Sequence, residues 1–124
     1  MTAEDKELLI RDICARLPYG LKAKYYDPEA ERTTWDEIND VYNSTSYNHT
    51  EVGIGQYGLN VVEVKPYLFP LSSMTEEQKK EQEAHFTCIK HDMSFSICRY
   101  IEWCYKNHLD INGLLSKGLA IDAT

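Results

Sequence analysis

The densest set of side chains able to bind a metal or act as nucleophiles lies in the last third of the chain. It comprises three histidines and two cysteines: His85, Cys88, His91, Cys104 and His108. On a continuous helix the first three recur every three residues and share a narrow arc, while the last two are one turn apart. Imidazole nitrogen and thiolate sulfur are the ligands that tetrahedral zinc takes. A zinc site is therefore a hypothesis, although the sequence has no paired C-x2-C or H-x3-H motif.

The same cluster has two other interpretations. Cys88 could attack a substrate with His85 or His91 as its base, but no residue identifies an oxyanion hole or a group that orients the histidine. Cys98 and Cys104 fall on an apolar stripe, where buried thiols are ordinary core residues. We expect core packing, no cofactor and no metal, and keep a small metal- or thiol-dependent enzyme as the alternative.

Three acids near the middle of the chain, Asp36, Glu37 and Asp40, form a second candidate site. If the segment were helical, their carboxylates could together bind Mg²⁺, as in nucleases. Isolated acidic triplets are more often solvated surface, and a two-metal nuclease needs further carboxylates. We therefore predict no metal here.

The segment around these acids holds the whole net charge. Residues 27–63 contain eight acids and one base, which sum to the −7 of the full chain. A field of this sign opposes contact with a phosphate backbone, so direct nucleic-acid binding is not expected. Aromatic residues set among acids are typical of a protein-binding face, and the alternative is that half of them lie in the core. The predicted partner-binding residues are Trp35, Asp36, Glu37, Asp40, Tyr42, Tyr47, Glu51 and Tyr57.

The N-terminal half of the chain predicts a helix followed by short strands. Apolar residues recur at helical spacing over residues 3–17, and Pro18-Tyr19-Gly20 ends that helix. The period changes to two over residues 21–27, which indicates a strand. Residues 33–42 favour another strand. Residues 52–57 and 60–64 predict two more strands, joined through Gly58.

The C-terminal half predicts helices. Residues 65–70 contain two prolines, which lack the N–H that a central strand donates, so an extended or single-turn connector is expected there. A capping box at Thr75 and Gln78 begins a polar helix. Another helix is predicted over about residues 94–108, followed by a short turn or helix. Its apolar stripe consists of Ile97, Ile101, Cys104 and His108.

Strands followed by helices indicate the α+β class in one domain of 124 residues. We predict an N-terminal helix, a small antiparallel sheet of three or four strands, and two or three C-terminal helices. The pattern is compatible with either an SH3-like barrel or an open sheet.

The start of the chain predicts its cellular location. Residues 1–12 carry acids where a signal peptide has a basic segment followed by an apolar one, and no run of about 20 apolar residues occurs. We therefore expect a cytoplasmic protein without membrane contact, whose four cysteines stay reduced.

Three stretches carry a resemblance to a known group of proteins. Residues 9–20 (LIRDICARLPYG), 65–77 (KPYLFPLSSMTEE) and 113–120 (GLLSKGLA) are similar to small uncharacterised proteins of Bacteroidales phages and integrated mobile elements. The resemblance leaves out residues 27–63 and implies no activity. It implies a small accessory protein acting inside a bacterial host cell.

These observations together predict a non-enzymatic accessory protein that binds a host or phage protein through an acidic surface. Inhibition of a nucleic-acid-binding or defence complex would suit such a surface, because carboxylates can occupy a groove that otherwise takes phosphates. A structural or virion component is a further alternative. The oligomeric state is left open.

Overall fold

The structure, a computed structural model, describes residues 1–44, 49–91 and 93–124. The predicted α+β class is confirmed: an N-terminal helix and five strands precede a pair of helices, and a sixth short strand follows them. The helices and strands are α1 (Ala3–Arg16), β1 (Lys22–Asp27), β2 (Arg32–Asn43), β3 (Thr50–Ile54), β4 (Tyr57–Asn60), β5 (Lys65–Leu68), α2 (Glu76–His91), α3 (Met93–Lys106) and β6 (Ile121–Asp122).

Within the described residues the sheet has six strands in the order β4-β3-β2-β1-β5-β6, more than the three or four predicted. Neighbouring strands are antiparallel except β5 and β6, which are parallel. The sheet does not close on itself, so the SH3-like barrel is not confirmed. The two strands that account for the higher number are β5 and β6.

Strand β5 corrects the prediction of a connector at residues 65–70. Its pairing places Pro66 opposite Ala23 of β1, whereas pairing with β6 begins only at Tyr67. At Pro66, β5 is therefore paired with β1 alone among the described residues, and its other edge has no neighbouring strand yet. A proline is tolerated at such an edge because no ladder hydrogen bond is lost there.

The hairpin of β3 and β4 turns three residues earlier than predicted. The chain reverses at Gly55-Gln56, where Gly55 has a φ of 57°, and Gly58 lies inside β4 opposite Gly53. A left-handed φ is available to glycine without steric cost, which explains the turn at Gly55.

One side of the sheet packs against α1 and forms the core. Leu9 and Ile13 of α1 are fully buried against a cluster of strand and C-terminal side chains. That cluster consists of Leu21, Ala23, Tyr25, Ile38, Val52, Ile54, Val61, Val64, Leu68, Leu114, Leu119 and Ala120.

The pair α2 and α3 departs from the predicted burial. Ile97 and Ile101 of the predicted stripe are 37% and 38% exposed, whereas Cys104 is buried. No residue of α2 is buried among those that the structure describes. The predicted capping box is confirmed: the Gln78 N–H donates to Thr75 Oγ1 at 3.1 Å, and the Thr75 N–H donates to Gln78 Oε1 at 3.0 Å.

A buried charge pair ties α1 to the C-terminal segment. Arg16 Nε donates to Asp12 Oδ1 at 2.7 Å, and both side chains are 0% exposed. Arg16 Nη2 also donates to the Leu109 carbonyl at 2.7 Å, and Asn112 Nδ2 donates to Asp12 Oδ2 at 2.8 Å. The Tyr105 ring lies 5.0 Å from the guanidinium carbon. Sequence analysis missed this network, because its members are about 100 residues apart.

Candidate functional site on the open face of the sheet

The side of the sheet turned away from α1 is open, and we call it the outer face. Residues alternate between the two faces of a strand, and directly paired residues share a face. In β1 the alternation leaves Lys22, Lys24 and Tyr26 exposed. Their partners in β2 include Glu37 for Lys22 and Trp35 for Lys24. The outer face therefore carries Lys22, Lys24, Tyr26, Trp35, Glu37, Asp40, Tyr42, Glu51, Lys65 and Tyr67.

The part of the outer face on β5, β1 and the first half of β2 combines lysines with aromatic rings, and we call it the basic half. Lys24 pairs with Trp35 on one side and with Lys65 on the other. Tyr26 and Trp35 are 55% and 56% exposed, which is high for side chains of this size. The Lys22 ammonium lies 5.0 Å from the centre of the Trp35 ring, a cation–π contact.

The rest of the outer face lies on β3, on β4 and on the second half of β2. We call it the acidic half, and Glu37 lies at its boundary. Tyr42 pairs with Glu51, and its hydroxyl donates to Glu51 Oε2 at 2.9 Å. This hydrogen bond to a carboxylate raises the pKa of Tyr42. A Cβ at Gly53 would collide with Asp40, and one at Gly58 with Tyr42. The absence of side chains there lets Asp40 and Tyr42 lie across β3 and β4.

A register irregularity in β2 separates the two halves. The pairing with β3 shifts between Ile38 and Asp40, as in a β-bulge. Ile38 pairs with Ile54 before the shift and Val41 pairs with Val52 after it, and both pairs face the core. Asp40 and Tyr42 therefore face outward. The sequence contained no signal for this shift.

The structure does not bring all predicted partner-binding residues onto one surface. Asp36 pairs with the buried Ala23 and so lies on the opposite side of β2 from Glu37. The helical arrangement on which the magnesium hypothesis depended is therefore wrong, since the segment is a strand. Tyr47 lies outside the described residues.

Tyr57 also lies away from the outer face. Its hydroxyl donates to Asp27 Oδ1 at 2.8 Å, and its ring centre is 6.3 Å from that of Tyr25. The hydrogen bond from Tyr57 holds the pKa of Asp27 below its ordinary value. Tyr57 thus joins the β3–β4 hairpin to the end of β1.

A cleft of about 590 Å³ opens at the end of the basic half, a volume within the usual range for ligand pockets. Its aromatic walls come from β2, β5 and the residue after β5. The lining residues are Gly20, Lys22, Trp35, Tyr67, Phe69, His108 and Ala123. Because five separate parts of the chain contribute, no local sequence pattern could have predicted the cleft.

His108 lines this cleft and has a left-handed backbone conformation, with a φ of 54°. Its Nε2 is 2.9 Å from the Tyr19 carbonyl and therefore donates to it, while Nδ1 is buried with no hydrogen-bond partner among the described residues. Burial lowers the pKa of His108. The ring is accordingly neutral at physiological pH.

The other members of the histidine and cysteine cluster are dispersed. The His85 ring packs 5.8 Å from Tyr100 and 5.4 Å from Trp103, whereas His91 is exposed. Within residues 1–44, 49–91 and 93–124, no group of three or more His, Cys, Asp or Glu side chains is arranged to hold a metal ion.

The cysteines do not form a common site either. Cys88 and Cys98 are exposed, so the expected core position of Cys98 is wrong, while Cys104 is buried. Burial raises the pKa of the Cys104 thiol, which disfavours the nucleophilic thiolate. Cys88 and His85 do line one cavity of about 180 Å³, which is below the usual range for ligand pockets.

Comparison with protein-family models, with curated proteins and with solved structures finds no match to this chain. In the part of the chain that the structure describes, no helix is both long and apolar enough to cross a membrane.

Proposed function

We propose that this chain is a non-enzymatic binding protein that captures a basic partner protein on the acidic half of its outer face. The observation that carries the proposal is the exposure of Glu37, Asp40 and Tyr42 on the side of the sheet that α1 does not cover. Tyr42 supplies a large ring with a polar tip, the kind of side chain enriched at interfaces.

Two physical arguments support a basic partner. Carboxylates on a preformed sheet attract a positive surface and orient it before contact, which raises the association rate. The outer-face position of Asp40 and Tyr42 is fixed by β-sheet pairing, so little conformational entropy is lost on binding. The fixed carboxylates could occupy a groove that otherwise takes phosphates.

The resemblance of residues 9–20, 65–77 and 113–120 to phage and mobile-element proteins supports a setting for this role. We place the protein in the cytoplasm of a bacterial host cell, as an accessory factor that binds host or phage machinery. A nucleic-acid-binding or defence complex is the class of partner with the required basic groove. We assign no catalytic role to the chain.

The test is quantitative capture from a Bacteroidales lysate with three immobilised proteins. The first is the unaltered chain, the second carries Glu37→Lys and Asp40→Lys, and the third carries Glu77→Lys and Glu83→Lys on the exposed side of α2. The second and third have the same change in net charge. A partner should be retained by the first and third proteins and lost from the second.

Direct binding of the purified partner then checks the mechanism. Its association rate constant should decrease in the Glu37→Lys, Asp40→Lys protein and should decrease with added salt for the unaltered chain. Equal capture by all three proteins would contradict the proposal, as would an association rate that salt leaves unchanged.

A further inference from the structure

The basic half of the outer face carries a second inference, separate from the proposed capture of a protein by the acidic half. We propose that it binds single-stranded nucleic acid, with a base held in the cleft beside Trp35 and the phosphates held by Lys24 and Lys65. Lys22, at the cleft itself, supplies a further cation.

The local charge on this half is opposite to that of the chain. Among the described residues, strand pairing places Lys22, Lys24 and Lys65 here against one acid, Glu37, whose carboxylate lies beside Gly20 at the cleft. At physiological salt, charges more than about 8 Å away are largely screened, so a ligand on this half responds to its nearest groups. The summed charge of residues 27–63 argues against nucleic-acid binding, but the fold distributes those charges over several surfaces.

The aromatic residues are arranged as a stacking surface. Trp35 and Tyr26 are exposed on the same face as the lysines, and Tyr67 lies two residues from Lys65 on β5. Every base has a ring face that can stack on an aromatic side chain, so this contact does not depend on the nucleotide sequence. Proteins that bind single strands combine such rings with a positive groove that follows the backbone.

The cleft is not suited to a quaternary ammonium ligand. Aromatic cages bind quaternary ammonium groups, but here the Lys22 ammonium already lies over the Trp35 ring. A cationic ligand would be repelled by Lys22, whereas a base can replace the exposed ammonium on the Trp35 ring while Lys22 contacts the attached phosphate. A volume of about 590 Å³ is ample for one base.

An unpaired strand suits this face better than a duplex does. In a double helix the base faces are stacked on each other, and only base edges and the backbone are accessible. The exposed rings of Trp35 and Tyr26 can be used only by bases that have left such a stack. The ligand is therefore an unpaired strand of DNA or RNA.

The test is fluorescence anisotropy with a labelled oligothymidine of about 12 nucleotides, a length that covers one binding site of this kind. Binding should weaken as salt is raised, since phosphate contacts release counterions. Trp35→Ala should weaken binding by at least about fivefold, the lower end for losing one base stack. Lys24→Glu with Lys65→Glu should weaken it further and reduce the salt dependence.

Matched controls separate this face from the rest of the chain. Lys80→Glu with Lys90→Glu changes the net charge equally on α2 and should leave binding unchanged. In a Trp103→Phe background Trp35 is the only tryptophan, and its fluorescence should be quenched by the oligonucleotide. Circular dichroism checks that each variant is folded.

Three results would overturn the proposal. The first is the absence of binding at low salt, and the second is equal binding of a duplex, of polyglutamate or of free thymidine monophosphate. The third is binding that Trp35→Ala and the paired lysine substitutions leave unchanged. None of these results depends on the Glu37 and Asp40 substitutions, so this proposal and the proposed protein capture can fail separately.

Discussion

Charged residues serve opposite purposes at the junction of α1 with the C-terminal segment and on the outer face of the sheet. At the junction, Asp12 and Arg16 are fully buried and hydrogen-bonded to each other, to Asn112 and to the Leu109 carbonyl. On the outer face, Glu37, Asp40 and the three lysines remain exposed to solvent. Buried charges of this kind determine whether the chain folds, whereas exposed ones are free to contact a partner.

The largest effect should follow from breaking the buried pair. Asp12→Ala removes the carboxylate and leaves the Arg16 guanidinium buried without its partner. Such a change typically costs about 3–5 kcal/mol of the free energy of unfolding. Urea denaturation followed by circular dichroism measures it.

The control for this prediction lies in the same helix at the same spacing. Glu7 and Arg11 form an ion pair at 2.6 Å, but both side chains are largely exposed. Glu7→Ala should change the urea midpoint little, because water replaces the lost contact. Similar midpoints for Asp12→Ala and Glu7→Ala would refute the distinction between the two regions.

A smaller loss should follow from Gly55→Ala, which alters the turn that connects β3 and β4. A left-handed φ costs a residue with a Cβ about 1–2 kcal/mol, and the added carbon would also lie 3.0 Å from Tyr25 Oη. Gly118→Ala is the control, since Gly118 has a φ of 71° and an added Cβ there would meet nothing within 4 Å. In thermal unfolding, Gly55→Ala should have a lower melting temperature than Gly118→Ala. The reverse order would contradict the predicted contact between the added carbon and Tyr25.

A weaker, pH-dependent effect is expected from His108, which connects the cleft to the junction. Burial lowers its pKa in the folded protein, and the nearby Arg16 acts in the same direction, whereas the Tyr19 carbonyl and Asp12 oppose the shift. The unfolded chain therefore binds a proton at higher pH than the folded chain does. The contribution of neutral His108 to the free energy of unfolding should be fully present above about pH 6.5. It should decrease as the pH falls toward the pKa of His108 in the folded protein.

His108→Asn isolates this contribution, because asparagine tolerates a left-handed backbone and does not titrate in this range. The difference in melting temperature between the two proteins should change between about pH 7 and pH 5. A constant difference over that range would show that His108 does not couple protonation to folding.

The smallest effect on stability should come from the acidic half. Glu37→Lys with Asp40→Lys should change the free energy of unfolding by no more than about 0.5 kcal/mol for each exposed site. The same protein is expected to lose its partner. A loss as large as that of Asp12→Ala would mean that these carboxylates have a structural role.

The sequence predicted those parts of the fold that depend on local patterns. The α1 helix, β1 and the capping box at Thr75 were found because periodicity and cap chemistry act within a few residues. β6 was missed because a strand of two residues shows no periodicity. β5 was missed because proline is excluded from a strand only where the strand is paired on both sides, and Pro66 is paired with β1 alone.

The candidate sites were less predictable for the same reason. Summed charge suggested one acidic surface, but alternation along β2 places Asp36 and Glu37 on opposite faces. The bulge near Asn39 then decides which later residues face outward. The cleft and the Asp12–Arg16 network both depend on contacts with the region after α3, which no local pattern reports.

The long separation of Arg16 from Leu109 also bears on how the chain folds as it is synthesised. The two residues are 93 positions apart, which corresponds to roughly 5 to 20 seconds at 5–20 residues per second. During that interval the guanidinium and the Asp12 carboxylate stay hydrated, so α1 cannot complete its final packing. The nascent chain should then expose Leu9 and Ile13, which makes α1 the segment that a ribosome-associated chaperone would bind.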